Sequence, residues 1–168
     1  ETGAESLRRF MEIILETARR GGSVVIPSFA VGRTQELIYE LELYYESHEE
    51  HMPELDRLFV YVDSPLAERV TEVFRRNTEF FDQEAHERQR VDRQLLSFRN
   101  LVFTGSTEES KLINLDPRPK VIIASSGMCD FGRIKHHLKR YLGDRDSSIV
   151  FVGYQAEGTL GRRIVEGD

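Results

Sequence analysis

Residues 121–140 read VIIASSGMCDFGRIKHHLKR. The apolar run from Val121 to Ala124 has the length of a strand, and it passes directly into Ser125-Ser126-Gly127-Met128 and then into a charged helical segment. A strand that is apolar at every position is typical of a parallel sheet covered by helices on both faces, because neither face meets water. The stretch therefore predicts a strand–turn–helix unit of an α/β protein.

The same unit recurs on both sides of this stretch. A helical pattern over residues 7–18 stops at Gly21-Gly22, and further strands are predicted at 23–26, 58–62, 100–103 and 149–152, the last as buried as 121–124. Helices are predicted at 34–46, at 66–76, and from the capping box Ser106-x-x-Glu109 to about Leu115. Alternating strands and helices predict an α/β fold with a doubly wound, mainly parallel sheet of roughly five or six strands, in one domain over residues 1–168.

The segment 77–98 is charged and is interrupted by pairs of apolar residues. This pattern predicts irregular helix and loop. A protein interaction surface on this segment is one hypothesis for the function of the chain.

Composition excludes several classes of protein. The chain has no run of ~18 apolar residues and no signal-peptide pattern, so it predicts neither a membrane span nor secretion. Cys129 is the sole cysteine, which rules out an intrachain disulfide or a thiolate metal cluster and fits the reducing cytoplasm. The net charge of −6 argues against bulk electrostatic wrapping of nucleic acid. Arginines clustered at 73–100 and 133–163 supply either a local anion site or solvated helix faces.

Four loops that follow predicted strands share small or hydroxyl residues at a helix start. In open parallel sheets, ligands bind beyond the carboxyl ends of the strands, where helix N-termini favour anions. Phosphate is therefore the expected ligand, although each loop taken alone is equally typical of ordinary helix capping. The candidate phosphate-binding residues are Ser28, Gly32, Arg33, Asp63, Ser64, Ser125, Ser126, Gly127, Met128, Arg133, Gly153, Tyr154, Gly158 and Thr159.

The sequence contains no complete catalytic motif: H-x-H-x-D-H, H-E-x-x-H, the P-loop and G-x-S-x-G are all missing. His136 and His137 are adjacent, so on a helix they point about 100° apart and predict one histidine facing the sheet and one facing solvent. Asp63 is interpreted as a cap or turn residue rather than as a general base or metal ligand. Arg33 is equally suited to a phosphate and to a structural carboxylate.

Four stretches, in this order, resemble the successive motifs of the β-CASP domain. They are IPSFAVGRTQELIYEL at 26–41, VDSPLA at 62–67 with EFFDQEA at 79–85, ASSGMCDFGRIKHHLKRYL at 124–142, and VFVGYQAEGTLGR at 150–162. The β-CASP domain is inserted into metallo-β-lactamase-fold nucleases such as RNase J and the cleavage and polyadenylation endonuclease. The resemblance extends from about Glu5 to Gly167 and is nearest to the bacterial and archaeal branch.

The resemblance implies a parent ribonuclease in which two zinc ions, held by the metallo-β-lactamase domain of the same chain, activate water for RNA hydrolysis. The family's metal ligands flank this segment, so no cofactor and no catalytic residue is expected within it, and the isolated domain is expected to be inactive. The predicted loops would face a cleft for single-stranded RNA. Endonucleolytic and 5′-exonucleolytic cleavage fit equally well, DNA is an alternative substrate, and the resemblance admits a homodimeric parent. The alternative hypothesis is an independent α/β module that binds a nucleotide or a small phosphate.

Overall fold

The computed structural model describes residues 3–77, 79 and 94–168. Six α-helices lie within these residues: α1 (Gly3–Arg19), α2 (Arg33–His48), α3 (Pro65–Arg76), α4 (Thr107–Leu115), α5 (Ile134–Tyr141) and α6 (Leu160–Glu166). Five strands alternate with them: β1 (Val24–Pro27), β2 (Phe59–Asp63), β3 (Leu101–Phe103), β4 (Lys120–Ala124) and β5 (Ser148–Ile149). A short 3-10 helix, Pro53–Arg57, precedes β2. The elements predicted from the sequence are present, with ends that differ by a few residues.

The strands form one sheet in the order β3-β2-β4-β1-β5, and every pair is parallel. In the central register, Ala124 lies beside Pro27 on one side and beside Asp63 on the other. The last residues of β1, β2 and β4 are therefore level at the carboxyl edge of the sheet. The parallel sheet predicted from the apolar runs is confirmed.

Helices cover both faces of this sheet, as the doubly wound prediction requires. The front face packs against α1, α2 and α3, and the back face packs against α4, α5 and α6. Neighbouring residues of a strand alternate between the two layers: Val121 and Ile123 belong to the front core, whereas Ile122 and Ala124 belong to the back core. Burial on both faces explains why this strand is apolar at every position.

The predicted strand over residues 149–152 is wrong in its extent and in its burial. β5 ends at Ile149, and residues 148–152 are only half-buried. The physical reason is position: within the described residues β5 pairs with β1 alone, so it lies at the edge of the sheet. One further ladder contact, from the Val150 amide to the Val25 carbonyl at 2.9 Å, extends the pairing.

Most of the segment predicted as irregular, 77–98, lies outside the described residues, as does most of the EFFDQEA stretch. Its described end packs into the front core, where Leu95 and Leu96 are buried. Arg75 donates hydrogen bonds to both of their carbonyl oxygens, at 3.1 and 2.6 Å. Glu42 accepts a hydrogen bond of 3.2 Å from the Leu96 amide. These contacts hold the chain that leads into β3.

The predicted capping box opens α4. The Ser106 hydroxyl accepts a hydrogen bond from the Glu109 amide at 3.1 Å, and the Glu109 carboxylate accepts one from the Ser106 amide at 2.9 Å. Among the described helices, none combines the length and the apolar character needed to cross a bilayer.

Candidate functional site

The loops at the carboxyl ends of the strands form one continuous surface, the carboxyl rim, made of residues 28–33, 63–64, 104–106, 125–133 and 153–159. Ser28, Ser64 and Ser125 each directly follow one of the three level strand ends. Ser125 Oγ donates to Ser64 Oγ at 3.0 Å, and the Ser28 amide donates to the Ala124 carbonyl at 3.0 Å. The parallel register thus places three of the four predicted loops side by side.

The fourth loop, after β5, is fastened to the loop after β4. Gln155 Nε2 donates to the Gly127 carbonyl at 3.0 Å, and the Gly161 amide donates to the Met128 carbonyl at 2.9 Å. The Leu160 amide donates to Asp130 Oδ1 at 2.9 Å. All four loops predicted to share a rim are therefore brought together.

The serine hydroxyls of the rim serve the loops themselves. Ser28 Oγ accepts from the Thr34 hydroxyl at 3.0 Å, Ser64 Oγ caps α3 by accepting from the Ala67 amide at 3.2 Å, and Ser126 Oγ accepts from the Phe131 amide at 3.4 Å. All three serines are buried. Of the other candidates, Gly127 is also buried, Gly153, Tyr154 and Gly158 are exposed, and Gly32, Ser125, Met128 and Thr159 are half-buried.

Asp63 is the buried centre of the rim, and its side chain is fully inaccessible to solvent. One carboxylate oxygen accepts from Arg133 Nη1 at 2.7 Å and from the Thr104 hydroxyl at 2.8 Å. The other accepts from the Ser110 hydroxyl at 2.5 Å and from His137 Nε2 at 2.6 Å. The interpretation of Asp63 as a cap or turn residue is wrong, because it ends β2 and the cap is Ser64.

The charge of Asp63 is set by this shell of donors. Burial by itself raises the pKa of the carboxyl group, but the hydrogen bonds from His137, Ser110, Arg133 and Thr104 outweigh it and lower the pKa to about 2. The group is therefore an anion at neutral pH with both oxygens engaged. Such a carboxylate would repel a phosphate, so Asp63 supports the rim rather than a bound anion.

The two candidate arginines are held by the chain itself. Arg133 donates to Asp63 and also to the carbonyls of Thr104 and Gly105, at 3.2 and 2.9 Å. Arg33 Nε donates to the Val152 carbonyl at 3.1 Å, and its Nη1 donates to Glu36 at 2.8 Å. Of the two partners considered for Arg33, the structural carboxylate is the one seen here. Phosphate binding by these arginines stays a prediction.

Apart from Tyr154, which is among the predicted phosphate-binding residues, the exposed apolar side chains at the rim were missed by the sequence reasoning. Phe131 and Tyr154 are each 72% exposed and Phe29 is 48% exposed, and we call these three the rim aromatics. Val31, in the first rim loop, and Leu66, in the first turn of α3, are also exposed. The Phe29 ring lies against Gly127, where an added Cβ would come within 3.0 Å of it. The available signal was the position of each aromatic residue in a loop directly after a strand.

The described residues do not fit a zinc ion. His137 is buried and His136 is exposed, as predicted for adjacent helical residues. No group of three or more His, Cys, Asp or Glu side chains within residues 3–77, 79 and 94–168 could hold a metal. Asp63 and His137 are one carboxylate and one imidazole, and both Asp63 oxygens are already engaged. Burial raises the pKa of the Cys129 thiol to about 11, which keeps it protonated and unreactive.

Comparison with known families gives this fold and rim a context. The profile of the family described as the Beta-Casp domain matches residues 34–164, which include three of the four loops and begin directly after the first, residues 28–33. The chain belongs to the β-CASP family.

Curated relatives of this β-CASP domain come from bacteria and archaea. The chain is 40% identical over 161 residues to "Ribonuclease TTHA0252" of Thermus thermophilus, covering 96% of this chain and 36% of the relative. It is 37% identical over 169 residues to "Transcription termination factor FttA" of Methanocaldococcus jannaschii, covering 97% and 25%. The FttA of Thermococcus kodakarensis is 35% identical over 167 residues, covering 97% and 24%. The chain thus spans between 24% and 36% of the length of these relatives.

Acid should destabilise the domain through Asp63. Because its pKa is lowered from 3.8 to about 2 on folding, its ionised form contributes about 2 kcal/mol, in full above about pH 4 and lost as the pH falls toward 2. Ser110→Ala removes one donor and should raise the pKa of folded Asp63 toward its ordinary value, so the variant is less stable than the wild type at neutral pH and this difference shrinks as the pH falls toward 2. Urea unfolding from pH 7 to pH 2.5, followed by circular dichroism, measures this.

Thr71→Ala is the matched control, because Thr71 is also a buried helical residue whose hydroxyl donates to a carbonyl, but it does not contact Asp63. Its cost should not vary with pH. Identical pH profiles for the Ser110 and Thr71 variants would contradict the role assigned to Asp63.

Gly132→Ala should destabilise the rim more than Gly158→Ala. Both glycines have a positive φ, of 86° and 82°, so each alanine carries a backbone cost of ~1 kcal/mol. At Gly132 the new Cβ would also lie 2.5 Å from the Ser125 carbonyl oxygen, whereas at Gly158 nothing lies within 4 Å. We expect a loss of about 3 kcal/mol at Gly132, measured by urea unfolding. Equal losses in the two variants would show that the Gly132 loop yields freely.

Proposed function

We propose that this β-CASP domain is the RNA-facing cap of a metal-dependent ribonuclease. The observation that carries the proposal is the set of exposed rim aromatics at the carboxyl ends of the parallel strands, where open α/β sheets bind ligands. The names of the relatives, a ribonuclease and transcription termination factors, support an RNA substrate.

The chemistry of the rim favours single-stranded RNA over a duplex. Bases that are not paired can stack on aromatic rings, and each stack contributes about 1–3 kcal/mol without requiring a defined sequence. The rim arginines already bind Asp63, Glu36 and backbone carbonyls. Recognition at the rim therefore depends more on stacking than on arginine charge.

The bond-breaking step is proposed to lie outside this chain. The described residues offer no metal site, so hydrolysis is assigned to the metallo-β-lactamase domain of the same cytoplasmic parent, with two zinc ions held there. In this proposal, residues 1–168 are the cap domain, and the rim orients the RNA chain toward that domain. When bound in that domain, the zinc ions would activate water for attack on the phosphodiester.

Replacing the rim aromatics should weaken RNA binding in the full-length protein. Phe131→Ala and Tyr154→Ala should each raise KM for a single-stranded RNA by roughly tenfold, since each removes one stacking surface. At saturating RNA, kcat should change little. Steady-state cleavage of a fluorescently labelled oligonucleotide measures both constants.

Two controls accompany this test. Phe131→Tyr keeps the stacking ring and should retain the wild-type KM, and Val73→Ala removes an exposed apolar side chain from α3, away from the rim. If the Val73 and Phe131 variants have the same KM, the rim does not contact the RNA.

The isolated 168-residue chain should not cleave RNA. After treatment with a chelator and resupply of zinc, it is expected to leave a labelled RNA intact, because no zinc ligand set lies within the described residues. Hydrolysis that is abolished by mutating residues of this chain would overturn the assignment of chemistry to another domain.

A further inference from the structure

A second feature with binding character lies on the back face, in the shallow space between α4 and α5. This back-face depression has a volume of about 560 Å³ and is lined by Lys111, Asn114, Leu115, His136, Lys139 and Arg140. Three of these side chains are permanent cations, and no carboxylate belongs to the lining. The net charge of the whole chain is −6, so the positive charge of this depression is opposite in sign to that of the chain as a whole.

The cations of the depression differ from those of the rim in their partners. Arg33 and Arg133 are paired with carboxylates, whereas Lys111, Lys139 and Arg140 form no salt bridge to any carboxylate of the described residues. The Arg140 guanidinium lies 5.0 Å from the centre of the Tyr141 ring, and its charge helps to lower the pKa of Asp144, after the hydrogen bonds from Ser147 and Asp146, without forming a salt bridge to it. Within the described residues, no salt bridge therefore competes with an external anion for these three cations.

On each helix, the other lining residues lie three or four positions after the first. Lys111 and Leu115 are four residues apart on α4, and His136, Lys139 and Arg140 are three and four residues apart on α5, so each set lies on one helical face. A hydrogen bond of 2.9 Å between Asn114 Oδ1 and His137 Nδ1 fastens the two helices together. The cations are thus held on a fixed scaffold.

The positive charge of this region lowers the pKa of neighbouring groups. Partial burial lowers the pKa of His136, and the nearby charges of His137, Lys111 and Lys139 lower it further, while Asp63 opposes them. The charge of Arg140 also lowers the pKa of Lys120, after burial, which is the larger cause. At neutral pH His136 therefore adds a polar aromatic ring to the three cations.

The depression lies on two helices that begin at the rim. α4 and α5 both begin next to rim loops, and Arg140 lies six residues after Ile134, about 9 Å along α5. A strand of nucleotides that leaves the rim could pass over α5 and meet these cations. Leu115, 75% exposed, adds an apolar surface of the kind that unpaired bases contact.

We propose that the back-face depression is a second RNA-binding site, which holds backbone phosphates of nucleotides outside the rim. Lys111, Lys139 and Arg140 contact the phosphates, and His136 and Leu115 line the path of the bases. The proposal rests on the proposed function, because it requires that the rim receives RNA. It adds that long substrates are bound more tightly than short ones, through charge at a distance from the rim.

The test uses the full-length protein and compares two triple variants of equal charge. The first is Lys111→Gln, Lys139→Gln and Arg140→Gln. The control is Arg8→Gln, Arg69→Gln and Arg76→Gln, three exposed arginines of α1 and α3 on the front face. Labelled oligoadenylates of about 6 and 30 nucleotides lie within and beyond the size of a usual single-strand site. Fluorescence anisotropy gives Kd over a range of salt concentrations.

For the longer oligoadenylate, the first variant should reduce the slope of log Kd against log salt by about 2, since each lost phosphate contact in a single strand removes ~0.7. The single variant Lys139→Gln should reduce it by about 0.7, which keeps the test valid if the triple variant folds poorly. The control should keep the wild-type slope with both oligoadenylates, and the first variant should keep it with the shorter one.

Three results would overturn the proposal. Equal slopes for the two triple variants with the longer RNA would exclude phosphate contacts in the depression, and a change in oligomeric state alone would assign it to protein contacts. An equal loss with the shorter RNA would place the cations inside the cleft. In each of these cases wild-type RNA cleavage still supports the proposed function, whereas a full-length protein that neither binds nor cleaves RNA would remove both.

Discussion

The ionised, buried carboxylate of Asp63 is the interaction on which the carboxyl rim depends. It joins the end of β2 to Thr104 after β3 and to Ser110 on α4. It also joins β2 to Arg133, directly before α5, and to His137 within α5. Removing one partner of such a buried charge pair typically costs about 3–5 kcal/mol, because the remaining charge is left without compensation. One carboxylate therefore anchors Arg133, at the end of the Ser125–Arg133 loop, and the fourth loop is fastened to the same loop at Met128.

This use of polar groups decides what the rim can offer to a ligand. Several polar groups of the rim form hydrogen bonds within the domain: the hydroxyls of Ser28, Ser64 and Ser126 and the guanidinium of Arg133. The groups left in solvent include the aromatic rings of Phe29, Phe131 and Tyr154, together with the acidic residues Asp130 and Glu157. Three cations that form no salt bridge within the described residues, Lys111, Lys139 and Arg140, line the back-face depression between α4 and α5. The domain thus separates an aromatic surface at the strand ends from a positively charged one behind it, which suits a flexible polymer better than a small phosphate.

Much of this architecture was predictable because its signals are local. The apolar run at 121–124, the capping box at Ser106 and the glycine stop after α1 each depend on residues within a few positions of one another, and each is confirmed. The exposure of His136 and the burial of His137 follow in the same way from helical geometry, which points adjacent side chains about 100° apart. The strand at 149–152 was predicted too long. Its apolar pattern is the same as that of a central strand, and the sequence alone does not show that this strand lies at the edge of the sheet.

By itself, the sequence determined the α/β class, the parallel direction of the strands, the meeting of four loops at one edge, and the resemblance to the β-CASP domain. The tertiary structure decided which of those loop residues remain free. Asp63 meets Thr104 across 41 residues and His137 across 74 residues, and no local pattern encodes the choice of such partners. The same assembly buried the serines and exposed the rim aromatics, because the exposure of a side chain depends on elements brought together from distant parts of the chain rather than on its own chemistry.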